Sequence, residues 1–256
     1  MYYLSVGAIF KNESHIMREW VQHYLFHGVE HFYLINDKST DNYMEVIQEY
    51  IDAGKITLFH ADEPQYCGRQ SVLYNRHILP RLKETQWLLI VDLDEFVWSK
   101  QNTDITAVLR YSESFGQLQI NEYLFGSNGH ETQPKNVVSS FTKRRKEYWA
   151  RYKYFVNSLF EFSSLNVHYA TFAESRYMTD SSVFMAVYPE YFVLNHYNCQ
   201  SREFWNRVKC TRGDSDSYLI RTPEKFTELD CNEVEDMELC EQNKNALPFI
   251  KLNEIK

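Results

Sequence analysis

Hydrophobic residues along the first 98 positions alternate between two kinds of pattern. Buried strands are predicted for the apolar runs at 3–10, 31–35, 55–60 and 87–92. Between these runs, apolar residues recur every three or four positions, which is typical of helices with one buried face. We expect Ser14 to cap the first helix and Gly28 to end it, Asp41 to start the second, and the third to end at Pro80.

This order of strands and helices predicts an α/β fold, with a mostly parallel, doubly wound sheet and helices on both faces. In such sheets, ligands bind at the carboxyl ends of the strands. Polar residues follow three of the predicted strands, at 11–13, 36–37 and 92–94. The pattern alone therefore predicts a binding site at this edge of the sheet.

The second half of the chain is less regular. Further strands are predicted near 117–124, 164–172 and 191–198, and a helix over 201–213 that Ser201 caps. The acidic segment 223–245 is expected to be helical and to lie on the outside. No linker or repeat interrupts the sequence, so we predict a single domain over 1–256, with two halves at 1–98 and 99–222 and an appendage at 223–256.

Composition excludes several classes of protein. The chain has 256 residues and a formal net charge of -8, which disfavours nucleic-acid binding because phosphate neutralisation needs a basic face. No apolar run is long enough to span a membrane. The five cysteines form no CxxC pair, which favours reduced thiols. Without a signal-peptide pattern, a cytoplasmic location is expected.

The stretch QWLLIVDLDEFVW, at 86–98, runs from apolar residues into three acids. Along an extended strand, Asp92 and Asp94 would point to the same side, about 6–7 Å apart. Two such carboxylates repel each other unless a cation lies between them, and Mg²⁺ or Mn²⁺ with oxygen ligands suits that position. The alternative is that both acids cap the following turn.

Five short motifs occur in a specific order. They are N-E-x-x-x-x-x-E-W from 12, D-x-S-x-D from 37, D-x-D-E-F from 92, F-G-S-x-G-H from 125, and H-Y-x-x-x-S from 196 in a segment that ends in R-G at 213. Together they resemble the glycosyltransferase 2-like group and the related glycosyltransferase family 92, over roughly residues 3–216. The resemblance implies a GT-A fold, a nucleotide-sugar donor with UDP-sugar favoured, and a divalent metal, Mn²⁺ or Mg²⁺.

The resemblance also implies roles for individual residues in donor binding. The metal ligands would be Asp92, Asp94 and His196, and residues 1–98 would form the nucleotide-sugar-binding half. The other donor-binding residues would be Glu13, Asp37, Arg69, Gln70, Lys209 and Arg212. For Arg69 and Gln70 a solvated surface pair is an alternative, and Lys209 and Arg212 are alternatively two exposed cations near a helix end.

Residues 99–222 would form the acceptor half and bind a carbohydrate or glycoconjugate. Gly126, Gly129 and His130 belong to the family's acceptor loop. Trp98, Trp149 and Trp205 could stack on sugar rings, although core packing is the commoner role of tryptophan. The basic run at 143–153 is best explained as a solvated charged face.

The relatives imply an inverting transfer, which needs a carboxylate base on the acceptor side. The candidates are Glu95, Asp214 and Asp216. A haloacid dehalogenase-type phosphatase also ends a strand in D-x-D, but its motif follows the first strand of the sheet. A sugar-nucleotide pyrophosphorylase would need a glycine-rich loop after the first strand. The non-enzymatic alternative is a carbohydrate-binding module.

Overall fold

The structure of the protein is a computed structural model that describes residues 1–211 and 220–244. Its strands are β1 (Tyr2–Phe10), β2 (His31–Asn36), β3 (Ile56–His60), β4 (Thr85–Ile90), β5 (Glu95–Trp98), β6 (Gln117–Leu124), β7 (Lys143–Arg144), β8 (Trp149–Asn157), β9 (Phe162–Leu165), β10 (Ala170–Phe172), β11 (Phe184–Ala186), β12 (Val193–His196) and β13 (Val234–Glu235).

The helices are mostly short. They are α1 (Ser14–Phe26), α2 (Tyr43–Asp52), α3 (Arg69–Leu73), α4 (Ile105–Leu109), α5 (Arg202–Phe204), α6 (Pro223–Leu229) and α7 (Glu238–Asn243). Helix α3 continues as a π-helix over Tyr74–Ile78 and a 3₁₀ turn over Leu79–Glu84, and α5 continues as a π-helix over Trp205–Lys209. Further 3₁₀ turns cover Arg110–Ser112 and Ser175–Thr179. Within the described ranges, no helix is long and apolar enough to cross a membrane.

One large sheet runs through both halves of the chain. Its strand order is β3-β2-β1-β4-β8-β6-β12-β5, and β11 also pairs with β6, which makes nine strands. Strands β1 to β4 pair in parallel, and β8 lies antiparallel between β4 and β6. Helices cover both faces, because α1 and α2 pack into one buried cluster and α3 into the other. The predicted α/β fold class is confirmed.

The connection from β4 to β5 determines where polar side chains meet. These strands are consecutive in the chain, but β8, β6 and β12 separate them in the sheet. Only residues 91–94 join β4 to β5. This short connection therefore passes the ends of the three intervening strands.

Four local predictions are wrong. The segment 164–172 does not form one strand, because β9 ends at Leu165 and β10 begins at Ala170 and pairs with it. Ser14 is the first residue of α1 and makes no capping bond; its N–H is instead bound by the Asp41 carboxylate, 2.8 Å away. Asp41 therefore accepts a hydrogen bond from the first residue of α1 and does not start α2, which begins at Tyr43. The segment after 222 is neither wholly helical nor wholly external: β13 pairs with β7, and the side chains of Phe226 and Leu239 are buried.

Candidate functional site

In the D-x-D-E stretch, Asp92 and Asp94 lie in a tight turn after β4 and Glu95 is the first residue of β5, so the acids do not lie on β4 itself. The Glu95 N–H donates to the Asp92 carbonyl at 3.1 Å, and the Glu95 carboxylate accepts from the Asp92 N–H at 2.8 Å. Helix α1 holds this turn from the side. The Trp20 indole N–H lies 3.1 Å from both the Asp92 and Glu95 carbonyls, and the Tyr24 hydroxyl donates to the Glu95 carbonyl at 3.0 Å. The carbonyls of the acid turn, residues 92–95, are therefore fixed by α1.

A buried lysine from β8 is the first cation of the site. The Lys153 ammonium lies 2.7 Å from Asp92 Oδ2 and 3.4 Å from Glu95 Oε2, and its side chain is only 1% exposed. Burial disfavours the charged amine, but Asp92 and Glu95 outweigh that effect and hold the Lys153 pKa well above its usual value. The basic run at 143–153 is therefore not a uniformly solvated face, because its last residue lies in the core.

Asp94 lies between two further cationic groups. Its Oδ2 is 2.9 Å from the Lys209 ammonium, and its Oδ1 is 3.5 Å from His196 Nε2. Burial opposes ionisation of Asp94, but Lys209 and His196 outweigh it and hold its pKa well below the usual range. The structure therefore brings together Asp94, just before β5, and the predicted late histidine, at the end of β12.

Glu122 of β6 orients that histidine. Its carboxylate lies 2.8 Å from His196 Nδ1. Burial opposes the charge on the imidazole, but Glu122 and then Asp94 raise the His196 pKa well above its usual value. Glu95 is also buried beside this group, and burial raises its pKa to about 8 despite the nearby Lys153. Strands β8, β6 and β12 thus contribute Lys153, Glu122 and His196 respectively.

The residues around Asp94 fit a divalent cation. A hydrogen bond from Nδ1 to Glu122 leaves the Nε2 lone pair of a neutral His196 facing the Asp94 carboxylate, and two lone-pair groups need a proton or a metal between them. Metal-binding histidines usually donate their other ring N–H to a carboxylate in this way. The Asp92 side chain is 33% exposed, so the space beside it opens to solvent.

The acid turn and its partners form a charged cluster of four carboxylates, two ammonium groups and His196. Because the pKa values of Glu95 and His196 are both raised, protons on these two side chains balance the cluster, and a divalent ion would have to displace such a proton to bind. Among the described residues, Glu95, Glu122 and His196 form the one group of three possible metal ligands whose ligand atoms all lie within 4.8 Å of one another, and Asp92, Asp94 and His196 do not meet this spacing. Glu95 and Glu122 are almost fully buried and His196 Nδ1 is already bound to Glu122, but Asp94 is as buried as Glu122 and already bound to Lys209, so burial does not separate the two sets.

The predicted nucleotide residues lie in the same edge of the sheet. Asp37, after β2, forms an ion pair with Arg69 at 2.9 Å, and both side chains are buried. The Gln70 amide donates to Asp92 Oδ1 at 3.2 Å, which links α3 to the acid turn. Arg69 and Gln70 are therefore not a solvated surface pair. Glu13, after β1, is buried and lies 3.4 Å from the Lys11 N–H.

The predicted acceptor loop, residues 125–130, packs against the C-terminal segment. A Cβ on Gly126 would lie 2.4 Å from the Cys231 carbonyl, so the backbone approach there is to protein. Gly129 has a positive φ of 77° with open space around it, and His130 Nε2 lies 3.1 Å from the Ser140 carbonyl. The acceptor roles of these residues stay predictions.

The tryptophans proposed as sugar platforms differ in accessibility. Trp98 and Trp205 are buried, and their indole N–H groups donate to Asn195 Oδ1 and to the Thr222 carbonyl. Their role is core packing. Trp149 is partly exposed, with the Arg145 guanidinium 4.7 Å from its ring centroid.

Three predicted site residues, Arg212, Asp214 and Asp216, lie outside the described residues. Two described residues of the cluster, Lys153 and Glu122, were not predicted. Glu122 does carry a signal in the sequence, because it takes the place of an apolar residue in the alternation of Leu118, Ile120 and Leu124 on β6. Lys153 is the last residue of the basic run at 143–153, so nothing in the sequence indicates that it is buried.

Comparison with known proteins identifies the family. The model of glycosyltransferase family 92 matches residues 2–237. The chain belongs to this family. A family 92 protein of rice (Oryza sativa subsp. japonica) is 22% identical over 201 residues, which cover 77% of this chain and 33% of the relative. The chain thus spans about a third of the length of the curated family 92 relatives that it matches.

A further relative and a solved structure are also similar to this chain. A galactan β-1,4-galactosyltransferase of Arabidopsis thaliana is 23% identical over 113 residues, which cover 41% of this chain and 22% of the relative. The S. aureus TarS fragment 1–349 solved with UDP-GlcNAc has a TM-score of 0.47 at 15% identity, covering 89% of this chain and 64% of that chain.

Proposed function

We propose that this protein is a metal-dependent glycosyltransferase that moves a sugar from a nucleotide diphosphate donor to a hydroxyl group. One observation carries the proposal: in a family 92 chain, Asp94 Oδ1 and His196 Nε2 lie 3.5 Å apart although they belong to distant parts of the sequence. A divalent ion between these two groups would replace the proton that the raised pKa of His196 favours. Family membership supports sugar transfer, and this geometry supports the metal.

The metal would be held by Asp92, Asp94 and His196, with Glu122 orienting the imidazole. When bound, Mn²⁺ or Mg²⁺ would neutralise the negative charge that develops on the departing diphosphate. A nitrogen ligand beside two carboxylates favours Mn²⁺ over Mg²⁺. Lys209 adds a protein cation on the Asp94 side of this space.

The donor nucleotide would bind at the carboxyl ends of β1 and β2. Glu13 and Asp37 lie in the loops after these strands, and the Asp37 carboxylate is held by its ion pair with Arg69. We propose a UDP-sugar, a GT-A architecture with residues 1–98 as the donor half, and acceptor binding by the following residues. Arg212 is a further candidate for the donor phosphates. The cytoplasmic location stays a prediction.

Inversion at the sugar carbon requires a base for the acceptor hydroxyl. Glu95, Asp214 and Asp216 are the candidates. The pKa of Glu95 is raised to about 8 and its side chain is 1% exposed, so Glu95 would have to lose a proton and become accessible to the acceptor before it acted as the base.

The test is a panel of nucleotide sugars with the purified protein, with and without Mn²⁺. We expect metal-dependent release of the nucleotide diphosphate from one donor class. Asp94→Asn should lower this turnover by at least about 100-fold, the effect of losing a major electrostatic stabiliser. Asp52→Asn, at the exposed end of α2, is the matched control and should retain activity.

Full activity of Asp94→Asn without added metal would exclude the proposed metal centre. Release of inorganic phosphate from simple phosphate esters, with no effect of nucleotide sugars, would instead support the phosphatase alternative. Binding of a glycan without turnover of any donor would support a carbohydrate-binding module.

A further inference from the structure

Two lysines, Lys153 and Lys209, form ion pairs with the acid turn, and they differ in how buried they are. Lys153 projects from the middle of the sheet and is 1% exposed, so its ammonium is enclosed between Asp92 and Glu95. Lys209 is the last residue of the π-helix that follows α5 and is 13% exposed. Its four-carbon side chain passes near the Phe204 ring, with Nζ 5.8 Å from the ring centroid. Lys153 is therefore held in place, whereas Lys209 reaches the site from its rim.

Lys209 contacts the carboxylate that the metal would use. Its Nζ is 2.9 Å from Asp94 Oδ2, while the other oxygen of the same carboxylate faces His196 Nε2 at 3.5 Å. A divalent ion bound to Asp94 and His196 would lie within a few Å of this ammonium, and like charges at that separation repel strongly at a poorly solvated site. The Lys209–Asp94 pair and a metal at Asp94 therefore disfavour each other.

The ammonium has another partner in the proposed reaction. A diphosphate is a preferred ligand of lysine, which binds phosphate as a mobile point charge. A donor diphosphate bound to a metal at Asp94 would lie beside Lys209. The side chain would then move from the carboxylate to the phosphate oxygens by rotating its flexible stem, with the helix unchanged.

We propose that Lys209 is an exchangeable counter-ion that competes with the metal at Asp94 and transfers to the donor diphosphate, so that metal and nucleotide bind with positive coupling. The inference rests on the metal site proposed above. It adds a role for Lys209 that phosphate binding alone does not require: this residue weakens metal binding when no nucleotide is present. Removing the lysine should therefore strengthen Mn²⁺ binding when no nucleotide is present, and should weaken the effect of the nucleotide on Mn²⁺ binding.

The test uses the purified full chain and measures Mn²⁺ binding by calorimetry, first with MnCl₂ alone and then with saturating UDP. In Lys209→Met, Mn²⁺ alone should bind about tenfold more tightly than in wild type. UDP should then improve Mn²⁺ affinity by a factor about tenfold smaller than in wild type. Lys209→Arg, which keeps the charge, should resemble wild type in both measurements.

Two controls separate this effect from general changes in charge or folding. Arg207→Met removes an exposed cation from the same helix, where it pairs with Glu203, and should leave Mn²⁺ affinity unchanged. In an Asp94→Asn background, Lys209→Met should no longer tighten Mn²⁺ binding, because the carboxylate for which both cations compete is gone. Thermal melting of each variant establishes that it is folded.

The outcomes distinguish the inference from the proposed function. Equal Mn²⁺ affinity in wild type and in folded Lys209→Met would overturn the competition while leaving the metal site intact. Weaker Mn²⁺ binding in Lys209→Met would also overturn it. Absence of Mn²⁺ binding in wild type and in every variant would overturn both the metal site and the inference.

Discussion

The first half of the chain supplies three of the four acids of the site, and the second half supplies its cations and the fourth acid, Glu122. Residues 1–98 supply the acid turn, with Asp92, Asp94 and Glu95. The later residues supply the cationic partners Lys153, His196 and Lys209, at separations of up to 115 residues along the chain. The acids of the turn are thus neutralised only across the boundary between the halves. Their proximity is produced by the sheet, which places β8, β6 and β12 between β4 and β5.

The halves also differ in how their secondary structure forms. In the first half, β1, β2 and β3 are each followed by a helical segment, and β2 pairs with both of the strands that neighbour it in the sequence. In the second half, β8 and β12 insert into the sheet at positions that local sequence does not specify. The buried ion pair of Asp37 with Arg69 lies entirely within the first half. The acid turn, in contrast, takes its cationic partners from the second half.

The largest expected effect tests the dependence of the acid turn on β8. Lys153→Met would leave Asp92 and Glu95 without their buried cation, and should lower the free energy of unfolding by about 3–5 kcal/mol, measured by urea denaturation. Lys146→Met, an exposed position of the same basic run, is the control and should change stability by less than about 0.5 kcal/mol. A Lys153→Met protein as stable as wild type would contradict the electrostatic role.

A somewhat smaller effect is expected for the ion pair within the first half. Arg69→Met leaves the buried Asp37 unpaired and should cost about 3 kcal/mol in the same assay. Adding Asp37→Asn should recover part of that loss, because the unpaired charge is removed. If the double variant were no more stable than Arg69→Met, the loss would come from the packing of the arginine side chain.

The smallest effect concerns a contact between α1 and α7. Asn243 donates to His23 Nδ1 at 3.0 Å, and His27 Nε2 donates to Asn243 Oδ1 at 2.8 Å. Burial, and then the neighbouring His27, hold the His23 pKa well below its usual value of 6.5. The unfolded chain therefore binds more protons than the folded protein below about pH 6.5, so stability is present above that pH and is lost as the pH falls.

For His23 alone, this loss should be at most about 2 kcal/mol between pH 7 and pH 5. His23→Gln should unfold with a shallower dependence on pH than wild type over this interval. Urea denaturation at the two pH values measures the difference. An unchanged pH dependence in the variant would show that His23 does not contribute to acid destabilisation.

Much of the first half was predictable from sequence because its signals are local. The apolar runs and helical periodicity predicted β1 to β4 and the helices between them, and the carboxyl ends of the strands indicated where polar residues would meet. The turn at Asp92–Glu95 was not predicted, because an apolar run does not show where its strand stops. Its carboxylates point to separate lysines as a result.

The second half was harder to predict, because the roles of its site residues depend on partners that are distant in the sequence. His196 was predicted from a family motif. Lys153 resembles a surface charge in the sequence, and only the pairing of β8 with β4 shows that it lies beside Asp92. Glu122 shows a local anomaly on β6, but nothing near it in sequence identifies His196 as its partner. Ser201 was predictable, because its capping bond to the Phe204 N–H is local.

The short link between β4 and β5 also has a consequence for synthesis of the chain. A ribosome makes the acid turn well before it makes Lys153, His196 or Lys209. During that interval the three carboxylates have only water and dissolved ions to neutralise them, and β5 lacks β12, the strand with which it pairs. Since closing long loops is entropically costly, the nascent chain completes its charged centre late, after the regular first half has had the opportunity to fold.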